Sequence, residues 1–196
     1  MNGNLAYKEE PLEERIGGRF VMMAPAVVNH NRIARNISSI FDLYLRGKPC
    51  EFFPDGTGLY LTDEEEYIPD GMVVCDSDKV KPDGVHGTPD LVVEILSRST
   101  AKYDRGHKRE AYEKYGVKEY WIVSPGDLSV EQYVLENNTL ILRDIYHKYP
   151  HYALAHMRKE EGTALVTEFR CSLFDDLSIR LDDIFNRVVI SYNESV

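Results

Sequence analysis

Two apolar stretches of this chain each carry one carboxylate: Asp70 at the head of IPDGMVV and Glu94 in the middle of LVVEIL. A charge inside such a stretch is costly unless something positive meets it. If the two stretches are neighbours in one sheet, both carboxylates can point to the same side. Two acids at one edge suit a hard divalent cation, which takes oxygen ligands. Lys108 lies one turn into the helical stretch that follows Glu94. An ammonium there can pair with a carboxylate, or hold and polarise an attacking water. Two acids, a metal and a lysine are the parts for metal-assisted hydrolysis of a phosphodiester.

Each of these residues also has a plainer explanation. Asp70 stands in Pro-Asp-Gly, a common turn, and Lys108 taken alone reads as a solvated helix lysine. Glu94 is harder to dismiss, because carboxylates are seldom buried without a partner. Asp83, in KPDGV, reads as a turn residue. Asp90 shares the face of Glu94 by the period of two. It is an alternative ligand, a support for the ligands, or a strand start exposed to water. The histidines at 30, 86, 107, 147, 151 and 156 do not repeat at metal-ligand spacing. His30, near a helix start, lines a cleft or caps the helix, and the plainer role is favoured. Ser97, Ser99 and Thr100 lack a G-x-S-x-G elbow and read as loop and cap residues. Arg98, Lys102, Arg105 and Arg109 flank the proposed site, where they contact phosphates or merely balance an acidic chain. Tyr120 and Trp121 read as core aromatics.

The elements that must position these residues can be read from periodicity. Residues 91–96 form a buried strand, 104–115 a helix closed by Gly116 as a left-handed cap, and 119–123 a second strand. Strand, helix and strand in this span make a βαβ unit with parallel strands. Upstream, 14–24 reads as a strand or bent hairpin with Gly17 and Gly18 at the bend. Residues 30–46 read as a helix with Asn29 as its N-cap and Ile33, Ile37, Ile40, Phe41, Tyr44 and Leu45 near one face. Strands are expected within 50–61 and 67–75, with a solvated acidic loop at 63–66 and a polar loop at 76–88. Downstream comes a meander: 130–135 and 140–146 around Asn137-Asn138, then 149–157, 163–169 and 178–181, and a helix over 181–190. The class is mixed α/β, a central mixed sheet flanked by helices with additional antiparallel strands.

A chain of 196 residues reads as one domain over 1–196, with 1–12 a loose arm. Its net charge of −10 argues against a broadly basic, indiscriminate nucleic-acid binder, yet leaves room for a local basic cleft. Cys50, Cys75 and Cys171 show neither zinc spacing nor a disulfide framework, and read as reduced thiols of a cytoplasmic protein. No apolar run is long enough to span a membrane, and the polar N-terminus carries no signal peptide.

The run PDLVVEILSRST, followed by YDRGHKREAYEKYGVKEYWIVSP, resembles the Uma-two family of restriction-endonuclease-like proteins, within the PD-(D/E)xK nuclease superfamily. The likeness is specific across 69–125 and looser over the leading helix and trailing strands. It implies a restriction-endonuclease-like core and a Mg²⁺- or Mn²⁺-dependent endonuclease acting on nucleic acid, DNA in the first place. The alternative is a catalytically silent nuclease-fold module for binding or regulation. The resemblance implies Asp70 and Glu94 as metal ligands, helped by the main-chain carbonyl of Ile95, and Lys108 as the catalytic lysine. In the superfamily pattern that lysine stands two residues after the Glu; here Leu96 holds the place, and the lysine is displaced to the next helix. The resemblance also implies a homodimer, since double-strand cleavage pairs two sites, with Tyr133, Tyr146, Tyr149 and Tyr152 offering surface.

Overall fold

The computed structural model describes residues 13–22, 27–97, 100–149 and 166–189. In chain order, β1 (Glu13–Ile16) and β2 (Arg19–Met22) form a hairpin, followed by the long helix α1 (Val28–Leu45). Next come β3 (Glu51–Pro54), β4 (Leu59–Thr62), β5 (Glu65–Tyr67) and β6 (Gly71–Val74). A 3₁₀ turn (Ser77–Lys79) leads into β7 (Val80–Lys81), β8 (Gly84–His86) and β9 (Leu91–Ile95). Three pieces then run on as one helix: α2 (Ala101–Tyr103), a π-helical segment (Asp104–Lys108) and α3 (Arg109–Tyr115). The chain continues through β10 (Glu119–Ser124), β11 (Ser129–Glu136) and β12 (Thr139–His147). It closes with β13 (Glu168–Arg170), β14 (Ser178–Arg180) and the single turn α4 (Leu181–Ile184).

The main sheet has the order β12-β11-β10-β9-β6-β3. β9 and β10 pair in parallel, as the βαβ pattern requires, and β6 and β11 flank them antiparallel. A smaller sheet, β2-β1-β5-β4-β8-β7, covers part of one face. The alternation along β9 explains the two cores. Leu91, Val93 and Ile95 face α1, where Ile33, Ile37, Phe41 and Leu45 supply the helical stripe. Phe41 stacks on Phe52 at 5.1 Å and meets Trp121 at 5.6 Å. Side chains of this size each contribute about 1.5–3 kcal/mol on burial. Val92 faces the other way, into a second core with Met72, Val74, Tyr112, Tyr120 and Ile122. Glu94 shares the parity of Val92, so its carboxylate enters this second core beneath the helical run 101–115.

Pro-Asp-Gly at 69–71 is not a turn. Gly71 opens β6, and a Cβ there would meet the Phe52 ring at 2.5 Å, so the missing side chain lets β6 lie against β3. Gly17 and Gly18, at φ +56° and +74°, make the tight hairpin turn that favours such angles. Asn137 and Asn138 do the same at φ 51° and 63°.

Several expectations need correction. Helix α1 begins at Val28 after an uncapped Val27, and Asn29 lies inside its first turn. There its side chain donates to the Val189 carbonyl and accepts the Val189 N–H. Glu65 and Glu66 are strand residues rather than a solvated loop, because β5 must bridge β1 and β4. The region 76–88 is ordered into the 3₁₀ turn and the β7–β8 hairpin. The helix over 104–115 starts three residues earlier, at Ala101. The helix expected over 181–190 stops after one turn, and Arg187 has φ 62°. The strand at 149–157 lies outside the described residues except for its first position; of 163–169, residues 163–165 lie outside them, and the strand β13 starts at Glu168. Cys50 and Cys75 are not reduced thiols: they form a disulfide. The β3–β6 register pairs Glu51 with Val74, so one step further brings the two cysteines face to face. Cys171 is free and buried. No helix among the described residues is long and apolar enough to cross a membrane.

Candidate functional site

The β6–β9 register pairs Gly71 with Val93, and one step further sets Asp70 across from Glu94. Asp70 stands in for a missing ladder acceptor: its Oδ2 takes the Ile95 N–H at 2.6 Å. Its Oδ1 lies 3.0 Å from His30 Nε2. An extended residue sends its N–H and C=O to the same edge, so the Ile95 carbonyl shares the edge of Asp70. Glu94 is 3% exposed, and its Oε1 accepts from Lys108 Nζ at 3.1 Å and from the Tyr112 hydroxyl at 2.8 Å.

Lys108 arrives from the π-helical segment. Asp104, Lys108 and Tyr112 stand four residues apart, a spacing that stacks them on one helix face, and all three are buried. A second carboxylate meets the lysine from the N-terminal hairpin: Glu14 Oε1 is 2.8 Å from Nζ and also accepts the Ile68 N–H at 3.0 Å. Asp104 Oδ1 is more distant from the ammonium, at 3.8 Å. The three carboxylates hold Lys108 above its ordinary range although burial alone would lower it.

Negative charge is in excess here. Glu14, Asp70, Glu94 and Asp104 face Lys108 and His30, so the anions outnumber the cations even with His30 protonated. Burial pushes the Glu94 carboxyl well above its usual range; Lys108 opposes that, while Asp104, Asp70 and Glu14 add to it. Asp104 is likewise pushed up to about 6, chiefly by burial. His30 is raised: burial would lower it, but the hydrogen bond and charge of Asp70 prevail. Asp104 Oδ1 and His30 Nδ1 are buried without a hydrogen-bond partner. An excess of buried oxygen anions with an orphaned carboxylate oxygen is a donor set that fits a hard divalent cation. Among the described residues, however, no three His, Cys, Asp or Glu are already grouped to hold one.

The structure thus brings together Asp70, Glu94 and Lys108, which the sequence singles out. It takes others away. Asp90 is structural: Oδ2 accepts the Cys75 N–H at 2.8 Å and Oδ1 pairs with Lys118 at 2.7 Å. Asp83 is exposed and pairs with His86. Arg105 turns to Glu131 at 3.0 Å, and the Arg109 guanidinium lies 5.7 Å over the Tyr133 ring. Lys102 is exposed; Arg98 and Ser99 lie outside the described residues. Ser97 and Thr100 bond to each other, as loop and cap residues do. Tyr133 is buried and offers no dimer surface, and Tyr146 stacks on Phe169 at 4.7 Å. Tyr152 lies outside the described residues.

Sequence reasoning missed Glu14, Asp104 and Tyr112, and it set His30 aside in favour of a plainer role, whereas the structure pairs it with Asp70. Three of these four carried a signal. His30 continues the buried stripe of α1, three residues before Ile33 and seven before Ile37. Tyr112 and Asp104 flank Lys108 at four residues. Glu14 carried no more than its alternation with Ile16.

Three comparisons bear on this arrangement. A family model, Uma2, described as "Putative restriction endonuclease", matches residues 5–156. Two uncharacterized proteins of Synechocystis sp. are similar. One, slr1290, is 30% identical over 147 residues, covering 74% of this chain and 71% of its own. The other, sll1609, is 29% identical over 133 residues, covering 64% and 75%. Among solved structures, a crystal structure described as "a putative nuclease belonging to DUF820" from Anabaena variabilis superimposes with a TM-score of 0.67. It is 16% identical and covers 91% of this chain and 92% of that one.

Proposed function

Since the chain belongs to the Uma2 family of restriction-endonuclease-like proteins, we propose that it is a metal-dependent endonuclease that hydrolyses phosphodiester bonds in nucleic acid, DNA in the first place. The observation that carries this reading is the convergence of Asp70, Glu94 and Lys108 from β6, β9 and the helix between β9 and β10. Asp70 and Glu94 would hold Mg²⁺ or Mn²⁺, with the Ile95 carbonyl on the same edge. When bound, the cation supplies Lewis acidity at the phosphate and a water of lowered pKa.

The chain's own residues do the rest. The hydrogen bonds of Lys108 and Tyr112 both meet on Glu94 Oε1, which leaves Oε2 for a cation. His30 and the Ile95 N–H fix the orientation of Asp70. Lys108, held protonated by Glu94 and Glu14, is a donor and not a base: it steadies the attacking water or a phosphate oxygen by charge. Two copies acting together would cut both strands of a duplex.

One observation favours a second reading, a catalytically silent binding or regulatory module. Asp70 is 8% exposed and both its oxygens are engaged, so the site as folded is closed. A plasmid-cleavage assay in Mg²⁺ and in Mn²⁺ separates the two. The nuclease reading expects cation-dependent cutting that Asp70→Asn and Glu94→Gln abolish and Lys108→Ala slows by about 10²–10⁴-fold. No cutting in either cation, or equal cutting by all variants, leaves the silent module.

A further inference from the structure

Resting on the hydrolytic reading above, we propose that Glu14 is the positioning residue of Lys108, so that strand β1 lends one supporting carboxylate to the site.

The hairpin docks in an unusual way. Of its apolar side chains Ile16 packs against the second core, while Phe20 is 64% exposed and Met22 62%. Its strand pairing with the rest of the molecule is brief, through Arg15 and Glu66 of β5. The residue of the hairpin that is fully withdrawn from water is Glu14, at 4% exposure. Glu is almost never buried unless paired, and a hairpin needing only an anchor would bury an aliphatic side chain at this position. The carboxylate is there for what it meets.

What it meets ties two parts of the site together. A single oxygen, Oε1, takes the Lys108 ammonium at 2.8 Å and the Ile68 N–H at 3.0 Å. Ile68 lies two residues before Asp70, so Glu14 bridges the segment that delivers Asp70 and the side chain that serves Glu94. Its contact with Nζ is shorter than that of Glu94, at 3.1 Å. A lysine carries three donors on a flexible stem. Glu94 and Glu14 occupy two of them, and Asp104 at 3.8 Å is beyond hydrogen-bond reach. The ammonium is therefore held from two sides with one N–H left for a reacting oxygen. Loss of one such support loosens the geometry that the chemical step depends on.

Glu14→Gln tests this without removing the side chain, since the amide oxygen can still accept the Ile68 N–H. Two readouts are made on full-length protein beside Arg19→Ala, a control on the exposed part of the same hairpin. The first is single-turnover cleavage with calorimetry of Mn²⁺ binding. Glu14→Gln is expected to cut about 10–100-fold more slowly, the usual loss for a residue that orients a site group, with Mn²⁺ affinity unchanged. Arg19→Ala is expected to match the wild type. The second readout needs no activity: modification of Lys108 by a small imidoester, followed by mass spectrometry. Loss of a charge-assisted hydrogen bond is expected to speed it by about tenfold or more in Glu14→Gln. Wild-type cutting rates, or unchanged Lys108 modification, in Glu14→Gln would overturn the proposal. If the wild type does not cut at all, the hydrolytic reading fails, and the modification rates alone decide whether Glu14 holds Lys108.

Discussion

Replacing Asp104 by Asn is expected to stabilise the protein at neutral pH in the absence of divalent cations. Asp104 is 2% exposed, and its carboxyl is pushed from 3.8 up to about 6. Burial is the main cause, resisted by Lys108 and a Thr100 hydrogen bond and helped by Asp70 and Glu14. In the unfolded chain an Asp titrates near ~3.9. The folded form therefore holds the proton more tightly, so stability is highest at low pH and falls as pH rises from about 4 through about 6. At about 1.36 kcal/mol for each unit of pKa, the ionised carboxylate costs the folded state about 3 kcal/mol once the pH is well above 6. Asn keeps the shape without the charge. For a domain of this size that gain corresponds to a rise in Tm of about 6–12 °C near pH 7.5, and to almost none near pH 4. Thermal melts in chelator across this range give the difference between wild type and variant. A difference that stays flat with pH, or a variant less stable than wild type near pH 7.5, would refute the electrostatic account of the site.

Other outcomes follow from the same contacts. Lys108→Met leaves Glu14 and Glu94 without their cation and is expected to cost about 3–5 kcal/mol in urea unfolding at neutral pH; an unchanged midpoint would show that the carboxylates do not depend on the lysine. Asp70→Ala strips the Ile95 N–H and His30 of their acceptor, and a loss of about 1–3 kcal/mol is expected even without metal. Reduction of Cys50–Cys75, which closes a loop with a sequence separation of 25, is expected to lower stability by about 3 kcal/mol. Equal urea midpoints with and without reductant would contradict it.

The parts of this molecule that were legible in the sequence are those governed by local periodicity. The apolar run broken by Glu94 and the βαβ spacing located β9 and its parallel partner. The stripe of isoleucines located α1. Asp70, Glu94 and Lys108 stood out because charges in or beside apolar stretches demand an explanation. What was not legible depends on partners distant in the chain. Glu14 acquires its meaning from Lys108 and Ile68, and His30 from Asp70. The Cys50–Cys75 disulfide follows from the register of β3 on β6, which spacing along the chain does not reveal. The segment 76–88 looked like a loop because its two short strands hold few apolar residues, and their order comes from pairing with β4.

The measurement closest to the central claim is an anomalous difference map of crystals soaked in Mn²⁺, taken beside an identical soak of Glu94→Gln. The account predicts a peak bounded by Asp70, Glu94 and the Ile95 carbonyl in the wild type, with the Glu94→Gln crystals empty there. A peak elsewhere, or a wild-type site in which Asp70 still engages His30 and the Ile95 N–H with no peak beside it, would contradict it.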